Sequence, residues 1–267
     1  MHPKTSVEAI TRICSARADG VEVRGKDLCG DLMGRLSFTA YFHLLLTGRE
    51  PTEDQRFFLD LLLVAIAEHG MMPTVQAARM TLAADPDSLH GALAAGLLGC
   101  GPVLVGTADA CGRLLLAAEG RVASGESPEA AALTLVQGIR DQGGKVPGFG
   151  HPVHRPTDPR AERILGLADA RQVSGRSVAM ARQLRDAVAK VWGKPLVMNV
   201  SMPIAAVLLD LDFPPPMIKA VPLLARAGGI LAHLWEEQQN PVGFLMAARA
   251  EAAVAYRNDG EAAADHA

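Results

Sequence analysis

The chain has 267 residues, 49% hydrophobic and 21% charged, with a formal net charge of −3. That balance argues against disorder, and the length suits one large domain or a large domain with a smaller one inserted. With no basic excess, a nucleic-acid partner has no electrostatic footing.

Ala and Leu are abundant while β-branched and aromatic residues are few, which favours helices over strands. The N-terminus, Met1-His2-Pro3-Lys4-Thr5, has no apolar core and is not read as a secretory signal. The alternating segment Val21-Glu22-Val23-Arg24-Gly25 is read as a short hairpin arm. Thr52 and Gln55 form a capping box ahead of Phe57, Phe58, Leu61, Leu62 and Ala65, a helix expected to end near Gly70. The apolar run 57–67 contains Asp60 and is far shorter than the roughly 20 residues a membrane span requires. A soluble, cytoplasmic protein is therefore expected.

Further along, Ser127-Pro128-Glu129 and Asp158-Pro159 are helix starts, each with a cap residue and a first-turn proline. Helices are expected over 178–192, 204–211 and 218–237, with Pro214-Pro215-Pro216 separating the last two. The tail after Asn258 is expected to fray. Cys14, Cys29, Cys100 and Cys111 are scattered without a CxxC pair and are read as buried thiols. Without HExxH or CxxC spacing, no metal site is expected.

One segment differs from the rest. Residues 143–160 read GGKVPGFGHPVHRPTDPR, with four glycines, four prolines, two histidines and three cations between two helices. Gly148 and Gly150 allow close approach of the backbone to a ligand. Lys145 and Arg155 suit phosphates, and Arg160, in the first turn of the next helix, suits a carboxylate. His151 and His154 titrate near neutrality and fit acid–base work, although His154 and His90 are expected at the surface. A loop of this length and composition is more often functional than connective.

GFGHPVHRPTDPR resembles the citrate synthase motif in which a glycine-flanked histidine is followed, nine residues on, by the arginine of a TDPR box. Glu68-His69-Gly70 resembles the family's helix-end acid–histidine pair. The segment 101–109 (GPVLVGTAD) resembles its glycine-rich turn, 196–206 (LVMNVSMPIAA) its Asn-Val-Asp segment, and Ala225-Arg226-Ala227-Gly228 its arginine-bearing penultimate helix. The length is closer to the compact citryl-CoA lyase branch.

The resemblance implies a mainly α fold, with a large helical domain from 1–108 and 206–267 and a small CoA-binding domain from 109–205. His69 would hold a carboxylate, His151 would bond the reacting carbonyl or hydroxyl oxygen, and Arg160 and Arg226 would clamp carboxylates. Lys145, Val146, Pro147, Gly148 and Gly150 would cradle coenzyme A, with Arg155 near its phosphates and Asn199 near the thioester arm. In the cleavage direction His151 would serve as base at the hydroxyl, with Asp109, Glu68 or water managing the enolate. From residue type alone, His233 is read as a satisfied core histidine. A homodimer is implied as well, and the small residues of 91–99 would allow close helix packing, between subunits or within one chain.

Two family positions do not match. The enolate-steadying histidine is Leu104 here and the carboxylate of the Asn-Val-Asp segment is Ser201, whose hydroxyl titrates too high for a general base. Efficient citrate synthesis is not expected. Three readings stay open: a carbon–carbon lyase or synthase on a citryl-CoA-like acyl-CoA, a related acyl-CoA reaction on another acceptor, and a CoA-binding protein with little catalysis.

Overall fold

A computed structural model describes residues 9–258, so the expectations on residues 1–5 and on the tail beyond Asn258 fall outside the described residues. The fold is mainly α. The expected hairpin arm becomes the central strand of a small antiparallel sheet, β1 (Cys14–Arg17), β2 (Gly20–Val23) and β3 (Lys26–Asp27). Val23 is buried in a local core with Leu32 and Leu44.

Eleven α-helices follow among the described residues: α1 (Phe38–Thr47), α2 (Glu53–Ala67), α3 (Pro73–Ala84), α4 (Leu89–Leu98), α5 (Thr107–Ala123), α6 (Pro128–Asp141), α7 (Pro159–Ala170), α8 (Arg176–Trp192), α9 (Ser201–Asp210), α10 (Ala220–Gln239) and α11 (Gly243–Ala253). The described residues fall into two compact units, one drawn from Met1–Ala65 and Ala108–Val221, the other from Ile66–Thr107 and Pro222–Ala267.

In the first unit, α8 packs on α6 and α9, and α7 packs on α9. Asp210, at the end of α9, accepts hydrogen bonds from the backbone N–H groups of Gly175, Ser177 and Val178 at 2.8, 2.8 and 2.9 Å. These donors open α8 and have no partner inside the helix, so a carboxylate there satisfies both the hydrogen bonds and the helix dipole.

In the second unit, α3 packs on α4 and α11. Ala78, Leu82, Ala92, Ile230 and Leu234 form its core. A Cβ at Gly96 would lie 2.9 Å from both the Thr74 carbonyl oxygen and Ile230 Cδ1. The small face of α4 is thus used inside one chain, where it lets α3 and α10 approach.

The buried Arg79 guanidinium binds Glu237 Oε2 and Glu236 Oε2, each at 2.6 Å, and the Asn240 carbonyl at 3.1 Å. Glu237 Oε1 in turn accepts from Val242 N and Gly243 N at 2.9 and 2.7 Å, which fixes the turn into α11.

The stretch Pro215–Gln239 is long and apolar enough to cross a membrane by length and composition. It also carries the buried charges Arg226 and Glu237, as suits a core helix. The thiols depart from expectation. Cys100 and Cys111 are buried, but Cys14 and Cys29 are exposed because the β1 strand and the short helical segment Leu28–Leu32 after β3 bury little of their surface.

Candidate active site

The glycine-rich loop is pinned to the segment that precedes α9. Phe149 and Met198 form an antiparallel bridge, Gly150 N donates to the Val197 carbonyl at 2.7 Å, and Asn199 N donates to the Gly148 carbonyl at 2.8 Å. Asn199 Nδ2 adds a bond to the Gly150 carbonyl at 3.0 Å. Gly148 has φ +80°, and a Cβ there would lie 2.8 Å from Cys111 Sγ and 2.9 Å from Met202 Cβ. Only glycine fits both that backbone and that space. Burial pushes the Cys111 thiol well above its ordinary range, so it packs rather than reacts.

His151 follows directly. Its Nδ1 accepts from Val153 N at 3.1 Å and His154 N at 2.9 Å. Nε2 lies 3.4 Å from Arg160 Nη2. Both ring nitrogens thus face N–H donors, Nδ1 two backbone groups and Nε2 a guanidinium, which has no acceptor. His154 stacks on His151 with ring centroids 4.3 Å apart, and is half-buried rather than at the surface.

Arg160 is held in turn by Asp158, the cap of α7. The carboxylate accepts from Arg160 N at 3.0 Å, Nε at 3.1 Å and Nη2 at 3.0 Å, and from Val200 N at 3.1 Å. Burial alone would raise the Asp158 carboxyl, but the Arg160 guanidinium and the two backbone donors hold it below its ordinary value. Donor atoms of His151, His154 and Asp158 lie within 4.8 Å of one another. Both Asp158 oxygens already serve Arg160, however, and a metal ion among them would face that guanidinium, so the donor set suits the arginine better than a metal.

The other predicted residues of this unit divide clearly. Val146 is buried, Pro147 is half-buried, and Lys145 and Arg155 are exposed without an ion-pair partner among the described residues. Asp109, proposed for the enolate, is instead ion-paired with Arg113 one turn along α5. Ser201 opens α9, its N–H donating to Asn199 Oδ1 at 3.1 Å.

His69 and Arg226 belong to the second unit, as does Leu104. His69 sits in the turn after α2, where its N–H and that of Gly70 both donate to Glu68 Oε1 at 2.6 Å. Arg226 is 5% exposed, and its Nε and Nη1 have no hydrogen-bond partner among the described residues. A buried guanidinium left this way is costly unless an anion completes it.

Sequence reasoning took Asp158 only as a helix cap and His233 as a satisfied core residue. The acid two residues before Arg160 was a usable signal for the first. Glu236, one turn along the same helix, could be read beside His233, but the nearer carboxylate, Glu68, could not be foreseen from local sequence.

The chain belongs to the citrate synthase family: residues 8–246 match the family described as citrate synthase, C-terminal domain. Within that family it is similar in structure to citryl-CoA lyase from Hydrogenobacter thermophilus, with a TM-score of 0.83 and 28% identity over 96% of this chain and 97% of that one. ATP citrate lyase from Methanothrix soehngenii, solved with citrate and coenzyme A, shares the fold, with a TM-score of 0.78 and 22% identity over 98% of this chain and 43% of that one. In sequence it is 31% identical to putative citrate synthase 2 of Mycobacterium tuberculosis over 71% of this chain and 50% of that protein. It is 27% identical to citrate synthase of Haloferax volcanii, over 77% of this chain and 52% of that protein. The chain thus spans about half the length of the curated relatives it matches.

Proposed function

We propose that this chain is a citryl-CoA lyase-like enzyme, which cleaves or forms a 3-hydroxy-3-carboxyacyl-CoA to or from acetyl-CoA and a 2-oxo acid such as oxaloacetate. The observation that carries the reading is Arg226, a buried cation with two unfilled donor positions in a family whose substrates are carboxylates. Its length match to a citryl-CoA lyase supports the lyase branch.

In this reading His69, Arg160 and Arg226 receive carboxylates. His151 bonds the reacting oxygen and, in the cleavage direction, takes the hydroxyl proton as base. Cleavage then breaks the bond between the carbinol carbon and the thioester α-carbon, leaving a keto oxygen and an enolate, which takes up a proton from water while His151 returns the hydroxyl proton to solvent. The loop residues Lys145, Val146, Pro147, Gly148 and Gly150, with Arg155 and Asn199, hold coenzyme A. A second reading, a CoA-binding protein with little catalysis, is favoured by two observations: position 201 carries a serine, and Asp109 is committed to Arg113.

We further propose a cytoplasmic homodimer. Leu98 and Val103 are each 88% exposed and Trp235 is 64% exposed in the second unit, large apolar side chains that a second copy would cover. Incubation with citryl-CoA, followed by detection of acetyl-CoA and oxaloacetate, tests the activity. Turnover supports the lyase. Tight CoA binding without turnover of any citryl-CoA-like thioester would transfer the case to the second reading.

A further inference from the structure

Arg226, Gly229 and His233 follow one another at spacings of three and four and so share one face of α10. Gly229 and His233 both meet the turn that ends α2. A Cβ at Gly229 would lie 2.0 Å from the Ala67 carbonyl oxygen, so helix backbone and turn backbone are in direct contact. One turn on, His233 Nε2 lies 2.8 Å from Glu68 Oε2. The other oxygen of that carboxylate accepts from His69 N and Gly70 N. On the far side of the imidazole, Nδ1 lies 3.8 Å from Glu236 Oε2, which Arg79 holds at 2.6 Å.

The His233 side chain is 14% exposed, and neither ring nitrogen makes an aligned hydrogen bond among the described residues, so its approach to Glu68 is a close contact between the two groups. A purely structural histidine would be expected to make well-formed hydrogen bonds or to give way to an apolar residue. This one faces two carboxylates, and the nearer fixes the backbone of a residue that meets substrate in the reading above. Burial opposes ionisation of Glu68, but His233 and the two backbone donors hold its carboxyl below its ordinary value. Glu68 is itself 53% exposed, so without His233 its carboxylate would be free to swing into water and release the His69 turn.

We propose that His233 is a positioning residue for the carboxylate end of the substrate, setting the His69 turn through Glu68 alongside the face of α10 that carries Arg226. The proposal rests on the reading of His69 and Arg226 as carboxylate contacts. It deepens that reading by making substrate affinity depend on a residue that touches no substrate. Small displacements of a carboxylate-binding group are costly, because both partners must stay in register.

The test is calorimetric titration of the full chain with citrate and, separately, with coenzyme A. His233→Ala should weaken citrate about tenfold, the loss of roughly one well-placed contact, while leaving coenzyme A affinity unchanged. Glu68→Ala should do the same, and the double variant should be no worse than either single one, as befits one shared pathway. His233→Gln, which keeps an N–H donor near the Nε2 position, should recover most of the citrate affinity. Should His233→Ala fail to fold, the exposed partner Glu68 carries the test alone. Arg226→Ala serves as the control. If it loses citrate binding while His233→Ala and Glu68→Ala bind as the wild type does, the positioning role is overturned. If Arg226→Ala and His69→Ala both bind citrate normally, the carboxylate reading falls and the positioning role falls with it. Equal losses of citrate and coenzyme A binding in His233→Ala would show a general loosening and also overturn the proposal.

Discussion

Asp158 ties the histidine loop to the start of α9: its Oδ2 accepts from Val200 N at 3.1 Å while also binding Arg160 Nη2 at 3.0 Å. One buried carboxylate thus fixes Arg160, the first turn of α7 and the residue before Ser201. Asp158→Ala should cost about 3–5 kcal/mol, because it strands a largely buried guanidinium and a buried N–H. Urea unfolding of the two proteins measures the difference. Any residual activity should show weakened binding of the carboxylic acid.

The same pair predicts acid sensitivity. Asp158 has its carboxyl held below the ordinary value, so its contribution to stability is complete above about pH 4 and is lost as the pH falls through the depressed value. Unfolding curves of wild type and Asp158→Ala should therefore be far apart at neutral pH and draw together in strong acid. Curves that stay equally far apart down to the acid limit would contradict the pairing.

His151 and Ser201 should behave oppositely. His151→Ala removes the acid–base group at the reacting oxygen and should lower the cleavage rate on the order of 10²–10⁴-fold. It also leaves Val153 N and His154 N without their acceptor, so stability must be followed in parallel. His151→Asn keeps an acceptor near Nδ1 without a titratable imidazole and separates the two effects: stability recovered, rate still low. Ser201→Ala should cost little in either.

Much of the frame was legible in the sequence because it rests on short-range chemistry. The Thr52–Gln55 capping box forms as read, Thr52 N to Gln55 Oε1 at 2.9 Å and Gln55 N to Thr52 Oγ1 at 3.2 Å. Ser127 and Asp158 cap the helices they were expected to start. Partnerships that depend on the fold were not legible. Asp158 finds its second backbone partner 42 residues away, and Glu68 meets His233 from another helix. The small residues of α4 illustrate a different limit. Their spacing announces a close approach, but only the fold says that α3 and α10 make it.

Coenzyme A binding should depend on Arg155, the exposed cation of the loop. Arg155→Ala should weaken it by about 1.5–3 kcal/mol, the value of a charge-assisted contact. Raised salt should narrow the gap between the two proteins. Unchanged affinity by calorimetry would move the phosphate contacts elsewhere.

Gly148→Ala meets two penalties together, a backbone at φ +80° and a methyl pressed against Cys111 and Met202. The sum should be about 2–4 kcal/mol of stability. Because the loop would have to lift from Val197 and Asn199 to relieve the clash, coenzyme A affinity should fall with it. A Gly148→Ala protein with wild-type Tm and affinity would show that the loop does not seat as described.

Residue 201 is held in place without help from its own side chain. Its N–H is bound by Asn199 Oδ1, the preceding N–H by Asp158 Oδ2, and the preceding loop by the Phe149–Met198 bridge. The position is therefore a socket whose occupant can be exchanged while its walls stand. The backbone bonds that hold residue 201 are thus independent of which side chain stands there. Within one unaltered scaffold, the chemistry is a replaceable part.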